Sequence, residues 1–98
     1  VGVNQNTEGH VAWQWKANGG TTASNSNGSI TSTVQANTDA GFSIVTYTGN
    51  GTVANASTTV GHGLSQRPDA IIIKDRDDAV NWNAWFERFT AGQVIYPN

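Results

Sequence analysis

The stretch that most constrains this chain is Gly-Phe-Ser-Ile-Val-Thr-Tyr-Thr-Gly-Asn-Gly-Thr over residues 41–52, followed by a polar segment and Thr-Val-Gly-His-Gly-Leu at 59–64. Residues 42–48 are almost all β-branched or aromatic, the types that fit a pleated strand. Asn50-Gly51 then signals a two-residue hairpin turn, because both central positions of a type I′ turn need a positive φ. A hairpin closed there sets Thr48 opposite Val53, Tyr47 opposite Ala54 and Val45 opposite Ala56, with residues 53–59 as an exposed, weakly held return. The strand divides into Phe42, Ile44, Thr46 and Thr48 on one face and Ser43, Val45 and Tyr47 on the other. Apolar groups on both faces predict a strand internal to a sheet.

Around this element the chain reads as further short strands. His10-Val11-Ala12-Trp13-Gln14-Trp15-Lys16 alternates, which predicts a core strand burying Val11, Trp13 and Trp15 on one side. Residues 17–27 are small and polar and predict a long surface loop. Ile30, Thr31, Thr33 and Val34 place a strand over 28–35, and Asn37-Thr-Asp-Ala-Gly41 has the composition of a turn. Gly61 and Gly63 mark a tight bend. Pro68 blocks helix ahead of Asp69-Ala-Ile-Ile-Ile-Lys74, whose three consecutive isoleucines predict a central strand buried on both faces. Asp75-Arg-Asp-Asp78 reads as a charged turn. Over 80–89 the aromatic residues fit strand alternation and also helical spacing; brevity and aromatic richness favour strand. Gln93-Val-Ile-Tyr96 closes the series. The expectation is an all-β chain, an antiparallel β-sandwich or meander of about six strands.

At 98 residues the chain is one β-rich domain at most. Charged residues make up only 12%, so the high net charge that drives disorder is missing, and hydroxyls and amides supply the polarity. The formal net charge is −2, with Lys16, Arg67, Lys74, Arg76 and Arg88 scattered singly. No basic field exists to attract a phosphate backbone, so no nucleic-acid partner is expected. With no cysteine, disulfides and thiolate metal sites are excluded. The apolar run at 70–73 is too short to span a bilayer, so no membrane partner is expected. The chain starts at Val1 without a methionine and ends at Asn98, which reads as a piece of something longer.

Each candidate chemistry fails on a particular residue. Gly49-Asn50-Gly51 resembles the start of a dinucleotide fingerprint, but Ala54 stands at the third glycine and no helix follows. Gly41-Phe42-Ser43-Ile44 begins like a nucleophile elbow, with Val45 in place of the closing glycine. His10 and His62 have no third ligand close in sequence, and a zinc site usually takes three or four. His62, between two glycines, reads as a turn residue capping backbone groups. An EF-hand loop from Asp75 would put Val80 at the required glycine and Phe86 at the bidentate glutamate, so a solvated turn is the better reading of Asp75, Asp77 and Asp78. Asn27, Asn50 and Asn55 precede x-Ser/Thr, at a frequency this composition explains without glycosylation. No catalytic residue, metal site or cofactor is assigned, and the chain is expected not to be an enzyme.

Trp13, Trp15, Trp82 and Trp85 are the residues most open to function. Indoles flanked by Asn, Gln and Asp can stack on sugar rings while their neighbours bind hydroxyls. For Trp13 and Trp15 a core role is the stronger reading. Of Trp82 and Trp85, one is expected in the core and one outside, and these two are the candidate carbohydrate-binding residues.

Four segments together carry a resemblance: Trp-Lys-Ala-Asn-Gly-Gly-Thr-Thr from Trp15, Asn-Gly-Ser-Ile-Thr-Ser-Thr-Val-Gln-Ala-Asn from Asn27, Ala-Gly-Phe-Ser-Ile-Val-Thr-Tyr-Thr-Gly-Asn-Gly-Thr from Ala40, and Thr-Val-Gly-His-Gly-Leu leading to Pro-Asp-Ala-Ile-Ile-Ile-Lys. Over about residues 9–85 the chain resembles a repeat-type β domain of tailed-bacteriophage structural proteins, marine and cyanophage-like. Such domains often sit beside laminin-G-like or concanavalin-like sandwiches in tail fibres. Residues 53–59 look longer than that family's connection, and its continuation after Trp82-Asn-Ala-Trp85 is missing. The resemblance implies a virion setting and a non-enzymatic structural role. It also implies self-association as a homo-oligomer, with a trimer the usual fibre arrangement, and contacts with other virion proteins. Docking to host surface glycans is the alternative, and a glycan-degrading depolymerase is the weakest reading, since it needs a carboxylate pair across a cleft.

Overall fold

The computed structural model describes residues 6–17, 19–51 and 58–87. Two compact units divide the chain, Val1–Gly63 and Leu64–Asn98. Among the described residues there is no helix, and five strands form two separate antiparallel sheets. The all-β class is therefore as expected. The count and layout differ: three strands and two strands, rather than about six in one sandwich.

In the first unit, β1 (Ala23–Asn25), β2 (Ser32–Asn37) and β3 (Phe42–Thr46) lie in the order β1-β2-β3. The β2–β3 turn is built by Asn37, whose Oδ1 accepts from Ala40 N at 3.1 Å, and by Gly41 at φ +64°. A β-carbon at such a φ would be strained, so the turn residues predicted for 37–41 do form the turn. Val34 then pairs with Val45 and Gln35 with Ile44. The face division predicted for β3 follows: Ser43 and Val45 share a face with Val34 and Ala36, while Phe42 and Ile44 lie on the other.

Several expectations for this unit need correction. The neighbour of β3 is β2, and among the described residues β3 is an edge of its sheet while β2 is central. Strand also stops at Thr46 rather than Thr48. The hairpin return expected beyond Asn50-Gly51 falls on residues 52–57, outside the described residues. Within the predicted loop at 17–27 lies β1, which pairs Ala23 with Val34 and Asn25 with Ser32. The predicted core strand at 10–16 is not a strand. Val11, Trp13 and Trp15 are 77%, 76% and 64% exposed. Alternation specifies which side chains share a face, but a strand also needs a hydrogen-bonded neighbour, and among the described residues this segment has none.

Residues 58–63 lie against β2 and the loop before it. Val60 forms a parallel bridge with Ile30. Thr59 and Ser29 bond reciprocally: Ser29 N donates to Thr59 Oγ1 at 3.0 Å, and Thr59 N donates to Ser29 Oγ at 2.9 Å. Ile30 N donates to Thr59 O at 3.0 Å. The buried Ser32 Oγ donates to Gly61 O at 3.0 Å. Such close approach needs glycine. A β-carbon on Gly28 would lie 2.5 Å from Thr59 O, and one on Gly63 (φ +74°) 2.6 Å from Val34 Cγ1. The glycines at 61 and 63, expected to make a bend, allow the segment to lie on the Val34 face.

The second unit holds β4 (Ala70–Ile73) and β5 (Asn83–Phe86). They pair antiparallel, Ile71 with Trp85 and Ile72 with Ala84, and Glu87 N extends the ladder to Asp69 O at 2.8 Å. Strand is thus correct for both segments, including the one where helix competed. Burial is not: Ile71, Ile72 and Ile73 are 40%, 58% and 44% exposed. A run of isoleucines specifies a strand with two apolar faces but cannot supply the layers that would cover them. The last predicted strand, at 93–96, lies outside the described residues.

Candidate functional site

The β4–β5 ribbon carries the candidate residues. Pairing register puts Ile71, Ile73, Asn83 and Trp85 on one face, and Ala70, Ile72, Ala84 and Phe86 on the other. Ala84 is buried between larger neighbours, while the isoleucines stay accessible on both faces.

Trp85 and Trp82 have different surroundings. The Arg67 guanidinium lies over the Trp85 ring, 5.4 Å from its centroid, and Arg67 Nη1 is 3.7 Å from Glu87 Oε1. Arg67 is held by ring and carboxylate together, which leaves Trp85 half-buried with a face occupied. Trp82 precedes β5 rather than belonging to it and is 49% exposed, between exposed Asn81 and Asn83. The structure brings Trp82 and Trp85 into one segment but gives only Trp82 an open setting. Arg67 is the participant that the sequence did not reveal, because nothing in Gln66-Arg67-Pro68 specifies a ring eighteen residues later.

The charged turn after β4 is organised from within. Asp75 Oδ1 accepts from Asp77 N at 2.9 Å and from Asp78 N at 3.3 Å, and Lys74 Nζ donates to the carbonyls of Asp75 and Asp78, the latter at 2.9 Å. These backbone donors, Asp77 N first and then Asp78 N, lower the Asp75 pKa. Burial opposes them weakly, and the Lys74 charge adds a small further lowering. The sequence reading had a charged, solvated turn here; the structure adds that the Asp75 carboxylate bonds the amides of that turn. Among the described residues no group of three or more His, Asp or Glu side chains is arranged to hold a metal ion.

In the first unit, Trp15 stacks on Phe42 with ring centroids 6.0 Å apart and planes 17° apart, while Trp13 stands largely in solvent. On the opposite face of that sheet, Thr21, Thr22, Ser24, Asn25, Val34 and Gly63 line an open recess of about 210 Å³. It is smaller than pockets that enclose small-molecule ligands.

The family comparison matches residues 1–96 to a Domain of unknown function, DUF7483. The chain belongs to the DUF7483 family. No curated protein and no solved structure shows a significant match to the chain.

Proposed function

We propose that this DUF7483 domain is a non-enzymatic structural module of a bacteriophage virion, in a tail fibre or similar appendage, that assembles with copies of itself through its β surfaces. The virion setting rests on the resemblance carried by the segments at 15–22, 27–37, 40–52 and 59–74. The observation that carries the assembly reading is the exposure of Ile71, Ile72 and Ile73 on both faces of a two-stranded ribbon. Two strands with apolar faces in water are marginal alone, and a contiguous exposed apolar patch is characteristic of an association surface. Among the described residues the ribbon also has open edges, which further strands can extend.

Sedimentation across a dilution series tests this reading. The intact protein is expected to be a homo-oligomer, and Ile72→Asp is expected to shift it toward monomer. A particle that stays strictly monomeric at every concentration would sink the proposal.

The exposure of Trp82 beside two asparagines favours a second reading, a carbohydrate-binding module that docks to host glycans. A glycan array probed with the parent, Trp82→Ala and Trp85→Ala decides it. The arrangement favours loss on Trp82→Ala and a smaller effect from Trp85→Ala, whose ring Arg67 already covers. Binding unaffected by either change removes both tryptophans from the site.

A further inference from the structure

We propose that the Phe42–Ile44 face of the three-stranded sheet, with Trp15 stacked at one end, is a binding platform for an extended, uncharged polysaccharide whose sugar rings present flat C–H faces, such as a β-linked glucan. The platform lies within the first unit. It is therefore a different site from the one around Trp82, and it does not depend on self-association.

Pairing register puts Gln35 beside Ile44 and Asn37 beside Phe42 on this face. Gly63 packs on Val34, on the opposite face, and Ile44 remains exposed. Trp15 stacks on Phe42 with planes 17° apart, so Phe42 sets the tilt of the indole while most of Trp15 stays in water. A ring already held in place loses little rotamer freedom when a sugar stacks on it. The Gln35 and Asn37 amides each donate and accept, which matches hydroxyl groups. Asn37 Oδ1 accepts from Ala40 N, which orients that amide and leaves its nitrogen to donate.

Charge sets the ligand class. The strands β1, β2 and β3 carry no charged residue, and the charges nearest in sequence to the aromatic pair, Lys16 and Asp39, have opposite signs. An anionic polymer gains no net attraction from such a face. An apolar protein surface would bury the Gln35 and Asn37 amides unpaired, whereas a neutral sugar chain satisfies them and offers C–H groups to the indole. Same-face side chains recur roughly every 7 Å along a strand, so an elongated chain, rather than a single sugar, meets the indole and the amides together.

Affinity electrophoresis of the intact protein through gels containing hydroxyethyl cellulose, laminarin or alginate tests this. Retardation is expected in a neutral gel and not in the anionic alginate. Trp15→Ala is expected to weaken binding about tenfold or more, the scale for truncating an aromatic anchor, and Gln35→Ala to weaken it a few-fold. Trp15→Ala also removes the Phe42 contact, so urea unfolding checks that it remains folded; if it does not, the Gln35→Ala loss decides. A protein that is retarded yet monomeric leaves this inference intact and removes only the assembly reading. No retardation in either neutral gel would overturn the proposal, as would equal retardation in alginate or binding that both variants retain. Loss on Trp82→Ala with Trp15→Ala at parent affinity would overturn it too, and would leave the Trp82 site standing.

Discussion

The two sheets solve the same problem by opposite means. The three-stranded sheet is poor in large apolar groups: Ala17 and Val34 are the buried hydrophobic residues described in its unit, alongside buried Ser32. It is joined to residues 58–63 by hydroxyl-to-backbone hydrogen bonds and by glycines that permit main-chain approach. The two-stranded ribbon is rich in isoleucine and aromatic groups, yet most of that surface is exposed. One unit has bonds with little apolar burial, and the other has apolar surface with little cover. The polar unit therefore depends on exact local fit, whereas the apolar unit gains most from a second surface. Substitutions in the first should act on folding, and substitutions in the ribbon on association.

Gly28→Ala should have the largest effect. Its new methyl would stand 2.5 Å from Thr59 O and 2.8 Å from Val60 Cα, both main-chain atoms. Relief requires residues 58–63 to lift from the sheet, which breaks the Ser29–Thr59 bonds together. A loss of about 2–4 kcal/mol in urea unfolding is expected, in the upper range for single substitutions with a named steric cause. Gly9→Ala is the matching control, because nothing lies within 4 Å of its β-carbon position. If Gly28→Ala unfolds like Gly9→Ala, the segment is not held as described and the contrast between the units fails.

Ser32→Ala should cost less, about 1 kcal/mol, because it removes one hydrogen bond and leaves Gly61 O without that donor. The same unfolding measurement applies, and Ser32→Thr should recover only part of the loss, since its extra methyl enters a buried position. An unchanged midpoint for Ser32→Ala would mean that the hydroxyl bond is dispensable.

These two positions show what the sequence could disclose. Local chemistry was legible: the Asn37–Gly41 turn, the face division of β3, the Pro68-led isoleucine strand, strand within 80–89 and the charged turn at 75–78, though not its internal bonds. Each depends on residues within a few positions of one another. The parallel contact between residues 30 and 60 was not legible, because Ser29 and Thr59 carry no mark of being partners across thirty residues. Nor was burial. The alternation of Val11, Trp13 and Trp15 and the run Ile71–Ile73 report side-chain character, whereas exposure depends on what packs against them. For the candidate site, the sequence singled out Trp82 and Trp85 but could not distinguish them. Arg67 does so by covering only one.

Arg67→Ala should act in the ribbon and be smaller still. Its ion pair with Glu87 is long and both side chains are more than half exposed, so water screens most of the attraction. The ring contact adds roughly 0.5–1 kcal/mol at a surface site. Removing both should lower stability by under about 1 kcal/mol. The more sensitive readout is Trp85 itself: acrylamide quenching of its fluorescence, in a background where the other three tryptophans are phenylalanine, should rise when the guanidinium leaves. Unchanged quenching would mean that Arg67 does not shield the ring.

The smallest expected effect is the acid response of the Asp75 turn, and it tests whether the ribbon unit too contains a locally bonded element. Asp75 is fully exposed, and its pKa is lowered chiefly by the Asp77 and Asp78 amides, with a minor contribution from Lys74. A carboxyl whose folded pKa lies below its unfolded value contributes stability above the unfolded value, near 3.9 for aspartate, and loses it as pH falls through the folded value. Asp75→Asn keeps an oxygen that can accept from Asp77 N and Asp78 N but cannot titrate. The stability difference between parent and Asp75→Asn should therefore be constant near neutral pH and shrink below about pH 4, as the parent's carboxylate is protonated. A difference that grows on acidification would mean that the amides favour the neutral acid, contrary to the geometry in which both donate to the same carboxylate oxygen.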